Sequence, residues 1–446
     1  MTAPHNPLLS APVLPLLARF ALPNMGALLA AALASISETI YAGRLGLSAL
    51  AGLALVFPMV MLQGMLSSGA MGSSVASTIS RALGAGQTGR AQALAVHAAW
   101  IGLAGGVLYM AAMLAGGEAL FGLLGGRGDA LRHAVDYAQV AFLGAVFVWV
   151  VNVLSAVIRG TGRMAVPSAA LLLISLAQVG ISGALGLGWG PFPALGMRGV
   201  AAGQVVAYGV GALALLGWLL SGRAGIQLPL WRTPLRAEAF AAILRASAVA
   251  CVSPLQTVAT ILILTRLVAQ FGTEALAGYG VGTRLEFLLV PIAFAVGVAS
   301  VPLVGMAVGA GQVARARRVA WTAAAMAGAM LGLIGVVVTV RPDVWSRLFT
   351  QEATVLASAA SYFHWAGPCY ALFGVGLSLY FSAVGAGRAA GPVMAGTLRL
   401  VVVAVGGAAL AQAAAPAWMI FALVALGMAA YGLASVALVR RTSWER

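Results

Sequence analysis

Gly84-Ala85-Gly86-Gln87-Thr88-Gly89-Arg90-Ala91 is matched 225 residues later by Gly309-Ala310-Gly311-Gln312-Val313-Ala314-Arg315-Ala316. The same displacement carries Gly160-Thr161-Gly162-Arg163, with Pro167, onto Gly385-Ala386-Gly387-Arg388, with Pro392. A displacement of 226 carries Ala49-Leu50-Ala51-Gly52 onto Ala275-Leu276-Ala277-Gly278. Three segments holding one register across a hundred residues mark an internal duplication. Gly84-x-Gly86-x-x-Gly89 also spells a dinucleotide-binding fingerprint, but no strand precedes it, and a second copy at Gly309 reads as a turn between helices.

The surrounding 446 residues are 62% hydrophobic and 8% charged, with a mean hydropathy of +1.01. A water-soluble domain, a disordered chain, a collagen and a disulfide scaffold are all excluded by that composition. Gly, Pro and Arg clusters cut the chain into twelve apolar runs, the first at 15–41 and the last at 416–439. Each is long enough to span a bilayer as a helix. The predicted fold is an all-α polytopic membrane protein of twelve transmembrane helices, in two six-helix lobes related by a parallel internal repeat. The lobes are expected at 1–221 and 239–446, joined by a cytoplasmic linker at 222–238. An even number of helices per half inserts both halves the same way, and transporters use such repeats to place a substrate site between lobes. Pro23 lies inside the first run and is expected to bend it, as are Pro58, Pro254, Pro291 and Pro302 in theirs.

All 25 basic residues are Arg, against 10 acids. The absence of Lys excludes a P-loop lysine and a Schiff-base nucleophile. Fourteen Arg fall on the side holding the C-terminus and the loops after the even-numbered helices, Arg81, Arg159, Arg232 and Arg446 among them, with only Glu238 and Glu445 as acids. Seven Arg and six acids fall on the other side. That bias places both termini in the cytoplasm, here of a bacterial inner membrane, and accounts for the net charge of +15 without a nucleic-acid partner. Cys251 and Cys369 lie in apolar runs far from any metal-ligand spacing and read as packing residues, so no metal site and no resident cofactor is expected.

Charges inside the runs are few, and each needs a partner or a wet cavity, because a charge at mid-bilayer costs about 2.5 kcal/mol or far more. Glu38 lies late in the first helix, in the outer half of the membrane; it is either a titrating group or the permanent partner of an Arg. Glu286 is the deepest acid. Arg399 is its possible ion-pair partner, Arg284 points elsewhere on the same helix, and the alternative is an acid lining a central cavity. Arg19 and Arg245 match under the repeat and read as residues reaching back to lipid headgroups. His97 reads as packing, His364 as either packing or cavity lining among Tyr362, Trp365 and Tyr370, and Asn152 as helix glue or a cavity ligand.

Ser37-Glu38-Thr39-Ile40-Tyr41-Ala42-Gly43-Arg44-Leu45-Gly46 resembles the end of the first helix and the outer loop of MATE (multidrug and toxin extrusion) transporters. Ile79–Gly86, Val301–Gly305 and Arg159-Gly160-Thr161-Gly162 resemble further motifs of that family, in the family's order. The resemblance implies a secondary antiporter exporting amphipathic, cationic small molecules in exchange for protons or sodium by alternating access. It implies a monomer whose partners are those small molecules and membrane lipids, and no enzymatic activity. It places the coupling carboxylate at Glu38, where many members carry Asp. The family's second acid and nearby Asn on the fifth helix fall at Ser182 and Gln178, and its acid on the seventh at Gln256 or Thr257. The substrate-cavity and coupling candidates are therefore Glu286, Arg284, Arg399, Asn152, Gln178, Gln256, Tyr41 and His364, beside Glu38. The rival readings are a flippase for lipid-linked precursors, which would need several cavity Arg, and a membrane-embedded transferase, for which the short loops supply no residues.

Overall fold

In lipid every backbone N–H and C=O must find its partner within the chain, so apolar runs of this length can only be helices. The computed structural model describes residues 7–229, 233–413 and 415–444, and these are helical throughout apart from short turns. Numbering only the long helices, the N-terminal half holds α1 (Val13–Leu45), α2 (Leu47–Gly84), α3 (Thr88–Leu123), the bent α4 (Gly128–Leu143 and Ala145–Gly160), α5 (Ala165–Leu187) and α6 (Gly196–Leu220). The C-terminal half holds α7 (Ala237–Ala269), α8 (Thr273–Gly309), α9 (Val313–Val340), α10 (Ala353–Gly385), α11 (Ala390–Gln412) and α12 (Ala417–Arg441). By length and apolarity eleven of these suffice to cross a membrane, or twelve with the 45° bent α4 taken as one span. The predicted twelve-helix architecture is what the chain adopts.

The duplicated stretch proves to be a helix stop. In the first copy Gly86 takes a left-handed φ of 74°, its N–H bonds Leu83 O at 3.0 Å, and Gln87 N–H reaches back to Ala82 O at 2.9 Å. In the second copy Gly311 (φ 76°) and Gln312 repeat the pattern onto Val308 O at 3.1 Å and Ala307 O at 2.8 Å. This is the doubly bonded C-terminal cap that only glycine enters without strain, so the apparent dinucleotide fingerprint is a stop between α2 and α3. The bend of α4 is also duplicated. The helix breaks at Gly144, and α10 tightens into a 3-10 turn at Gly367–Cys369, the corresponding place. Pro23 sits exposed inside α1, which continues as one helix past it.

The chain forms two compact units: Gly26–Ser247, and Met1–Met25 together with Ala248–Arg446. This division falls inside α1 and α7. Close helix contacts within each unit depend on glycine. A Cβ at Gly52 of α2 would lie 2.8 Å from Ala130 O on α4, and one at its repeat mate Gly278 of α8 would lie 2.4 Å from Ser358 Oγ on α10. Three charges in the orientation count, Arg232, Glu445 and Arg446, lie outside the described residues. Arg159 was assigned to a loop in that count and instead ends α4, 7% exposed.

Candidate functional site

Glu38 stands near the C-terminal end of α1, about 38 Å along it at 1.5 Å per residue, and is buried in the unit Gly26–Ser247. Two side chains hold its carboxylate. The Tyr137 hydroxyl of α4 donates to Oε2 at 3.0 Å, and the Gln178 amide of α5 donates to Oε1 at 2.8 Å. Tyr137 is fixed in turn by an apolar cluster that includes Ala42, Phe121, Ala138, Phe142 and Met197. Tyr41, one turn beyond Glu38, joins the same cluster, donates to Val179 O at 3.1 Å and meets the Trp189 ring edge-on at 5.5 Å.

Glu286 stands on α8 in the other unit, partly buried. Its Oε1 accepts a short hydrogen bond from the Tyr362 hydroxyl and a second, at 3.5 Å, from the Tyr370 hydroxyl, both on α10. Tyr362 is boxed edge-on by Tyr279 and Phe421 at 5.6 and 5.4 Å, and Gly282 makes room for it: a Cβ there would lie 2.2 Å from its ring.

Among the described residues neither acid is in direct contact with an Arg. The ion pairs among the described residues are Arg132–Asp129 and Arg198–Asp136. Each carboxylate accepts its hydrogen bonds from neutral donors, and Arg399 acts on Glu286 through space rather than in direct contact. Arg399 instead lies over the Phe373 ring at 5.4 Å, and Arg284 is exposed over Phe349 at 5.1 Å. Glu38, buried and held in this way, keeps a negative charge that a proton or a small cation cancels.

The remaining candidates are placed elsewhere. Asn152 of α4 donates to Ser67 Oγ of α2 at 2.8 Å and joins two helices. Gln256 of α7 donates to Thr397 of α11 at 2.7 Å, a cross-link between the repeat mates of the helices that carry Glu38 and Gln178. Thr257 bonds its own helix at Ser253 O, 3.0 Å away. Ser182 donates to Val200 O at 2.8 Å and packs against Gly203, where a Cβ would lie 2.1 Å from its hydroxyl. His364 is exposed beside Trp365. His97 is fully buried between Ala93 O (2.7 Å) and the Arg236 N–H (2.8 Å), a satisfied packing residue.

Sequence reasoning named both acids but missed Tyr137 as a donor and assigned no donor role to Tyr362 or Tyr370. The signal was present: Tyr137 and Tyr362 are separated by 225 residues, the displacement of the repeat.

The MatE family model matches this chain at residues 23–182 and again at 250–410, once in each half. The chain belongs to the MatE family. MATE proteins are transporters of small molecules, and this chain is a multi-pass membrane transporter and not an enzyme. It is 27% identical over 321 residues to a Shewanella oneidensis protein named as an FAD transporter, covering 70% of this chain and 69% of the relative. It is 26% identical over 347 residues to the probable multidrug resistance protein NorM of Thermotoga maritima, covering 76% and 73%. A solved MOP-superfamily transporter from Pyrococcus furiosus superposes with a TM-score of 0.90 at 20% identity, over 99% of this chain and 98% of that one. The flippase reading gains nothing from these relatives.

Proposed function

We propose that this MATE transporter is a secondary antiporter of the bacterial inner membrane, exporting amphipathic cationic small molecules in exchange for protons or sodium, with Glu38 as the exchanging carboxylate. The observation that carries the reading is the Glu38 site: a buried carboxylate that receives hydrogen bonds from Tyr137 and Gln178 and has no Arg partner among the described residues. An acid permanently paired with Arg would gain little from a second cation. Held by neutral donors, Glu38 carries a charge that one proton, one sodium ion or one organic cation neutralises, and such competition for one charge is the minimum an exchanger requires. The Arg distribution between the two sides orients both termini to the cytoplasm in this reading.

The test is efflux from proteoliposomes of a fluorescent organic cation, and in parallel of FAD, under an imposed proton gradient and then a sodium gradient. Wild type is expected to expel the organic cation under one of the gradients, and Glu38→Gln to lose that dependence. Gradient-driven efflux that survives Glu38→Gln overturns the assignment of Glu38. Movement of FAD alone overturns the cationic substrate class.

A further inference from the structure

We infer that Arg159 forms an oxyanion-binding site inside the unit Gly26–Ser247, independent of the Glu38 site and of the proposed antiport. Arg159 occupies the last turn of α4 and is only 7% exposed. Its Nε and Nη2 are buried without a hydrogen-bond partner among the described residues, and neither ion pair among those residues involves it. An isolated buried guanidinium is among the costliest groups a helix bundle can hold, and it is retained where an anion compensates it. Its planar fork of N–H donors matches a phosphate oxyanion in shape as well as charge.

Its neighbours are small and polar. Arg159 lies against Gly72 of α2, where a Cβ would come within 3.3 Å of Nη2 and 3.5 Å of the Ala156 methyl. Gly72 closes a stretch of π-helix, Met65–Gly72, a form found frequently at functional sites. Ser73 and Ser74, the next two residues, each bury a hydroxyl that also lacks a partner among the described residues.

The other half of the molecule supplies the control. Under the 225-residue displacement Gly72 becomes Gly297, and a Cβ there would lie 2.5 Å from the ring of Phe381, the mate of Ala156. Arg159 becomes Val384, and Ser73 and Ser74 become Val298 and Ala299, all buried. The same helix crossing is thus filled by apolar side chains in one half, so the architecture does not itself demand an arginine. In the N-terminal half the same crossing carries the small Ala156 and a cation with unused donors. The ligand is a phosphate oxyanion, either free in solution or belonging to a lipid headgroup.

The test is thermal unfolding of the purified full-length protein in phosphate-free gluconate buffer at constant ionic strength. One arm titrates inorganic phosphate in detergent. The other compares nanodiscs of a phosphate-free galactolipid with nanodiscs of the same lipid containing increasing phosphatidylglycerol. Wild type is expected to show a saturable rise in Tm, about 2 °C or more near saturation. Free phosphate as the source gives the rise in the first arm, and a lipid headgroup gives it in the second. Arg159→Gln should abolish the rise, while Arg159→Lys, keeping the charge without the fork, should move the midpoint about tenfold higher. If Arg159→Gln fails to fold, the lysine variant decides. A wild-type Tm indifferent to both phosphate sources, or a midpoint unmoved in Arg159→Lys, overturns the inference.

Discussion

Glu38 in the unit Gly26–Ser247 and Glu286 in the other unit are built on the same tyrosine. Tyr137 and Tyr362 occupy one position of the repeat, on the first segment of α4 and of α10, and each donates to the acid of its own unit. The carboxylates come from different helices, Glu38 from the first of its half and Glu286 from the second. The mate of Glu38 in the C-terminal half is Leu264, and the mate of Glu286 in the N-terminal half is Val60. Their second donors differ as well, since Gln178 comes from a third helix while Tyr370 shares α10 with Tyr362. The two halves share the scaffold and one donor, and each carries its own acid. Glu38 is clamped between α1, α4 and α5, so its charge state is coupled to how three helices pack. Glu286 is held between two.

Grafting an acid into the half that lacks it at that position is the harshest way to break this comparison. Leu264→Glu places a carboxylate at the mate of Glu38, where the position matching Gln178 is Val403 and offers no second donor. It should cost about 3 kcal/mol or more, seen as loss of folded protein or a large drop in Tm in detergent. Smaller effects are expected from the scaffold itself. Gly52→Ala drives a Cβ into the backbone of α4 at Ala130 and Ala134, and Gly278→Ala drives one onto Ser358 and the backbone N of Ala359 on α10. Both should destabilise by about 1–3 kcal/mol, read as a lower Tm in detergent. An unchanged Tm in either variant would contradict the packing described. Removing a single donor should fall in the same range. Tyr137→Phe and Tyr362→Phe each delete one hydrogen bond to a carboxylate, worth about 1.5–3 kcal/mol. Tyr137→Phe leaves Gln178 in place at 2.8 Å, while Tyr362→Phe leaves only the longer bond from Tyr370, so the second variant should lose more stability in matched melts.

Much of this architecture is legible in the sequence because lipid permits so few alternatives. Apolar runs bounded by Gly, Pro and Arg must be helices, and the duplicated Gly-Ala-Gly-Gln reads as a stop before its left-handed glycine is seen. The acids were legible for the same reason, being rare charges in apolar runs. Their donors were not. A tyrosine in an apolar run gives no sign of whether its hydroxyl meets a carboxylate or a backbone carbonyl, and only the 225-residue spacing of Tyr137 and Tyr362 hinted at a shared role. Gln178 was reached through family resemblance, and its bond to Glu38 depends on how α5 packs against α1. Arg159 was misassigned because it abuts Gly-Thr-Gly, a sequence that looks like loop. Its burial is decided by Gly72 and Ala156 on facing helices, a pairing that no local pattern reveals.

The two acids are expected to be unequal, with Glu38 and not Glu286 performing the exchange. Proton release on binding of an organic cation, followed with an indicator dye in weakly buffered detergent solution with and without sodium, tests it most directly. Wild type and Glu286→Gln should release protons in proportion to cation bound, or in sodium should instead show cation binding weakened by the competing ion. Glu38→Gln should do neither. Proton release or sodium competition that persists in Glu38→Gln and disappears in Glu286→Gln would contradict the claim and assign the exchange to the tyrosine-capped acid of the C-terminal half.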